Sequence, residues 1–187
     1  MAFEIFTELD AYKDSTEYAQ LCKNNFASID TNNILTLFPT IEYEISINSL
    51  CSILGVNEYT DSIASYSNGI MYRSYYFDAN YVLNGIPSKI SFRFKWEDKS
   101  TRDNETAGKL ISMTWHCPEE ISNYEMYLEL KQHITNIIGA PTDETTGKNY
   151  YDEIYAYYTY WNDMQLSYST VTGQTIYLGR SQVWSNE

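Results

Sequence analysis

With 187 residues, 43% of them hydrophobic and 16% aromatic, the chain has apolar material for one packed domain or two small similar halves, and it falls outside the disordered class. A formal charge of −13 argues against direct binding to nucleic acid, which needs basic patches, and against anionic membrane surfaces. It favours a basic protein partner drawn in by electrostatic steering.

Tyrosine outnumbers phenylalanine by 19 to 7. An apolar ring with a wet hydroxyl suits strand faces, half-buried surfaces and interfaces. Cys22, Cys51 and Cys117 fall in no disulfide or metal motif, which reads as a reducing compartment. The stretch from Met1 to Glu8 has neither a basic start nor a long apolar run, and no segment has the length of a membrane span, so a cytoplasmic location is expected.

Residues 1–33 read as an N-terminal helical segment, with Tyr18, Leu21, Cys22 and Phe26 on one helical face. Ile34 to Phe38 reads as a short extended piece. A short helix is predicted around 47–54, ended by Gly55. After a polar loop at 57–69, a tyrosine-rich strand is expected over 70–78, and Asn84-Gly85 is a hairpin signal. Lys89 to Trp96 alternates cleanly, with Ile90, Phe92, Phe94 and Trp96 on one face and Lys89, Ser91, Arg93 and Lys95 on the other. A strand over 109–117 should bury Ile111, Met113 and Trp115.

The segment from Ile121 to Pro141 predicts an amphipathic helix over about 123–138. Ser122 and Glu125 form a capping box, Ile121 and Met126 a hydrophobic staple, and Gly139 the left-handed stop. Its apolar face is Tyr127, Leu130, Ile134, Ile137 and Ile138. A polar, acidic loop through Lys148 follows. Then come a tyrosine-dense strand over 150–161, a strand through Met164, Leu166 and Tyr168, a Thr172-Gly173 turn and a last strand over 174–178. Trp184 in the tail is expected to dock.

The predicted fold is α+β: an antiparallel sheet of six or more strands with two or three helices packed on one face. A repeat supports two tandem helix-plus-meander halves, 34–117 and 118–187. Ile53-Leu54-Gly55-Val56 answers Ile137-Ile138-Gly139-Ala140, and Tyr76-Phe77-Asp78 answers Tyr160-Trp161-Asn162 at the same offset. In element order alone this resembles the tandem modules of the β-lactamase inhibitory proteins, with no signature residues shared.

No phosphate-binding glycine loop, nucleophile elbow or zinc-protease motif is present. His116 and His133 show no ligand spacing with the cysteines, so no metal or other cofactor is expected. What remains is acid interleaved with tyrosine. Residues 118–187 hold ten acids and three bases, while 41–117 are nearly balanced. The predicted partner-binding residues are Asp143, Glu144, Asp152, Glu153, Tyr155, Tyr157, Tyr158 and Tyr160: carboxylates to steer, rings to anchor. The expected function is a non-enzymatic acidic inhibitor that occludes a macromolecule, foremost an immunity protein against a basic toxin such as a nuclease. The alternatives are a phage-encoded anti-defence inhibitor (of anti-CRISPR or anti-restriction type) mimicking nucleic-acid charge, and a hydrolase using Cys117 or a carboxylate.

Overall fold

The computed structural model describes residues 33–61, 64–171 and 173–182, without the side chains of 78–80 and 99. Its elements are α1 (Ile34–Leu37), α2 (Ile47–Leu54), β1 (Thr60–Asp61), β2 (Ser65–Ser67), β3 (Ile70–Leu83), β4 (Ile86–Trp96) and β5 (Lys109–His116). There follow α3 (Tyr124–Ile138), β6 (Asp143–Lys148), β7 (Ile154–Trp161), β8 (Met164–Ser169) and β9 (Thr175–Ser181). The chain divides into two units, Met1–Thr31 and Asn32–Glu187, and all of these elements belong to the second. The helical segment predicted before residue 33 and the docking of Trp184 lie outside the described residues.

The architecture is α+β, with nine antiparallel strands and three α-helices among the described residues. The sheet order is β1-β3-β4-β5-β9-β8-β7-β6, with β2 also on β3. Two meanders, β3–β4–β5 and β7–β8–β9, therefore meet through their last strands. Each follows a helix closed by a positive-φ glycine, Gly55 (φ 67°) after α2 and Gly139 (φ 103°) after α3. Phe77 and Trp161, paired in the sequence repeat, are both buried.

One face of the sheet carries the core. Ile90, Phe92, Phe94 and Trp96 of β4 are buried as their alternation predicts, beside Met113 and Trp115 of β5 and Leu166 and Leu178 of β8 and β9. Ile47 and Leu50 of α2 and Tyr127, Leu130 and Ile134 of α3 close over that face. Trp96 lies where a Cβ on Gly108 would stand 2.3 Å from its ring, so only glycine fits there. Arg180 fastens the chain before α2 to the sheet. Its Nη1 donates to the carbonyls of Phe38 (2.6 Å) and Ile41 (2.8 Å), and its Nε pairs with Asp163.

Several expectations are corrected. Ile34–Leu37 is helical, because Asn33 caps it and Ile34, Leu35 and Leu37 are all buried. The cap of α3 is Asn123, whose Oδ1 accepts the Met126 amide at 2.8 Å; Ser122 instead gives its hydroxyl to the Pro118 carbonyl at 3.0 Å. Ile137 and Ile138 end α3 exposed. A bulge opposite Arg93 and Phe94 moves Ile111 off the core face and puts Leu110 in its place. The acidic stretch after Pro141, predicted as loop, is edge strand β6, and residues 150–153 form its turn to β7. β3 runs on to Leu83, beyond the predicted 78.

Candidate functional site

The β6–β7 hairpin gathers the most unusual surface. Its tip is built on Asn149, whose Oδ1 accepts the amides of Tyr151 (2.8 Å) and Glu153 (3.1 Å). The Asn149 amide donates to the Glu153 carbonyl at 3.0 Å, and its Nδ2 donates to Glu153 Oε2 at 2.8 Å. Asp152 takes the left-handed conformation (φ 61°), which an Asp tolerates better than most residues, and sits 3.7 Å from Lys148 Nζ. On this frame Tyr150 is 97% exposed and Tyr151 79% exposed. Neither tyrosine is among the residues expected from the sequence, where both merge into the predicted strand. The turn signal that marks them is Asn149 followed by Asp152.

The eight expected residues separate into groups. Asp152 and Glu153 are at the tip. Asp143 and Glu144 begin β6, roughly 20 Å away at about 3.3 Å per residue along the strand. Asp143 accepts the Glu144 amide at 2.8 Å, and Glu144 pairs with Lys131 of α3 at 2.5 Å. Tyr157 faces α3, where its ring lies 4.7 Å from that of Tyr124 and 6.1 Å from that of Tyr127. Tyr158 and Tyr160 point to the opposite face of the sheet. Tyr155 is the extra residue of a bulge opposite Gly147 and Lys148, and a Cβ on Gly147 would lie 3.0 Å from its Cζ. Burial, with Tyr155 and Tyr160 beside it, pushes the Tyr158 hydroxyl up.

No described helix covers that opposite face. Its middle is floored by small residues on paired strands: Ser91, Ser112, Thr114, Ser167 and Gly179. Tyr76 and Tyr177 stand near His116, whose Nε2 is 2.7 Å from Ser91 Oγ. Burial and then the charge of Lys89 pull the His116 pKa down to about 4. An imidazole so reluctant to take a proton is a weak general base for Ser91 at neutral pH. Cys117 next to it is buried, and burial pushes its thiol pKa up, away from the reactive thiolate. Toward the first half, Arg93 lies over the Tyr72 ring at 4.6 Å, and Lys95 pairs with Glu97 (3.0 Å) and Glu44 (3.6 Å).

Among the described residues no three His, Cys, Asp or Glu side chains gather as a metal site would need, and no helix is long and apolar enough to cross a membrane. Comparison with family models, curated proteins and solved structures finds no match.

Proposed function

We propose that the chain is an acidic binding protein that neutralises a basic macromolecular partner by occluding it. An immunity protein against a basic toxin, such as a nuclease, is the version we favour. The observation that carries the reading is the pair Tyr150 and Tyr151, almost wholly exposed on a tip that Asn149 holds in place. Rigid aromatic anchors lose little entropy when a partner covers them, and a pre-ordered loop loses less still. The carboxylates of Asp152 and Glu153 flank the rings and supply long-range attraction to a basic surface. Nucleic-acid mimicry draws on the same carboxylates but makes no use of the two exposed rings, so it has weaker support. The raised thiol of Cys117 and the depressed pKa of His116 support a binding role over a hydrolytic one.

The test is affinity capture from the native host with the wild-type chain and with a Tyr150→Ala/Tyr151→Ala variant. A basic protein retained by the first and lost by the second, and inhibited stoichiometrically by the wild type, fits the reading. Capture that ignores the substitution, or a partner as acidic as this chain, contradicts it.

A further inference from the structure

We propose a second binding site, on the face of the sheet away from the helices: a shallow cleft over Gly179 that takes a single uncharged pyranose ring. This goes beyond the hairpin reading and does not depend on it. The cleft is made by two neighbouring cross-strand rows, Thr114–Gly179–Gln165 and His116–Tyr177–Ser167, each running β5 to β9 to β8. Gly179 has no side chain to fill the middle of the first row. A glycine inside a strand weakens it, and is found where something must approach the backbone closely. The resulting depression measures about 250 Å³. Drug-sized pockets start at about 300 Å³, so the depression suits a ligand of about one ring.

The lining decides the chemistry. Tyr177, 36% exposed, offers an aromatic face whose position is fixed by edge-on contact with His116 (centroids 5.1 Å apart, planes at 80°). His116 is itself held by Ser91 at 2.7 Å. Among the described residues, the side chains of Thr114 and Gln165 make no hydrogen bond to another protein group. A hydroxyl and a primary amide each donate and accept, as sugar hydroxyls do. None of the five lining side chains is charged at neutral pH, since burial and Lys89 keep His116 neutral. A carboxylate or phosphate would find no cation in the lining to pair with, whereas a neutral ring lays its C–H face on Tyr177 and its hydroxyls on Thr114, Ser167 and Gln165.

The full chain, labelled with nitrogen-15, is titrated with the methyl pyranosides of glucose, galactose, mannose and N-acetylglucosamine, and in parallel with inorganic phosphate. We expect at least one pyranoside to move the amides of 114–116, 165–167 and 177–179 saturably at millimolar concentration. Tyr177→Ala should weaken that binding by about tenfold or more, while Tyr177→Phe, which keeps the ring, leaves it within about twofold. Melting curves on both variants separate loss of the site from loss of the fold. If no pyranoside moves these amides, if phosphate moves them instead, or if folded Tyr177→Ala binds as the wild type does, the proposal is overturned.

Discussion

Tyr150 and Tyr151 meet edge to face, ring centroids 5.5 Å apart and planes at 85°, while both stand in solvent at the end of the β6–β7 hairpin. The geometry is one that aromatic pairs favour, so each ring helps hold the other where a partner would meet it. Burying such a side chain contributes about 1.5–3 kcal/mol, which makes the pair a large share of any interface it enters.

The attachment of α3 gives a first prediction. Leu130 is completely buried where the helix lies over β8. Leu130→Ala should destabilise the protein by about 2–5 kcal/mol, the loss expected when a buried leucine leaves a cavity. Urea denaturation measures it; a loss below about 0.5 kcal/mol, typical of a surface site, would mean the helix is held by other contacts.

A buried hydrogen bond ties the same helix to the sheet. The hydroxyls of Tyr127 and Thr159 lie 2.6 Å apart, and Thr159 is completely buried. Tyr127→Phe strands the threonine hydroxyl and should cost about 1–3 kcal/mol, whereas adding Thr159→Val, which removes both partners, should recover part of that loss. A double-mutant cycle by chemical denaturation reads the coupling, and strictly additive losses would show that the two hydroxyls do not depend on each other.

His116 predicts a pH dependence. Its pKa falls from an ordinary 6.5 to about 4 on folding. Between these values the unfolded chain binds the proton and the folded chain does not, so stability drops as the pH is lowered through that window and flattens below it. The loss has a ceiling of about 3 kcal/mol, reduced by the solvent that reaches the ring. His116→Gln should remove this part of the slope, measured as the difference between the two denaturation curves; equal slopes from about pH 7 to about pH 4 would rule out the buried neutral imidazole.

Strongly periodic segments were legible. β4 declares itself by alternation, and α3 by its helical face and Gly139. The structure departs from the sequence reading where one residue changes the register or the environment. A bulge turns Ile111 to the far face, and another lays Tyr155 against Gly147. β6, with the sequence Asp143-Glu144-Thr145-Thr146-Gly147-Lys148, lies at the end of the sheet and buries neither face, so it has no apolar alternation to read. Ser122 and Asn123 are both good caps, and the choice falls to Asn123 because the Ser122 hydroxyl is drawn back to Pro118. The candidate site was legible as a neighbourhood. Of the expected residues only Asp152 and Glu153 stand at the hairpin tip; Asp143 and Glu144 begin β6, Tyr157 is given to α3, Tyr158 and Tyr160 lie in β7, and the most exposed rings were hidden in a sequence run that continues into β7.

The most direct test of the hairpin as the partner's anchor is the kinetics of binding once the partner is in hand. Asp152→Asn with Glu153→Gln keeps side-chain acceptors at the tip and removes only charge. Association should slow, and the defect should shrink as salt rises through about 0.15 M, where the screening length is about 8 Å. Tyr151→Ala should instead speed dissociation by about tenfold or more with little salt dependence, because rings anchor at short range. If neither variant changes either rate, while replacing Lys89, Arg93 and Lys95 abolishes binding, the acidic hairpin is not the contact and the partner is not basic.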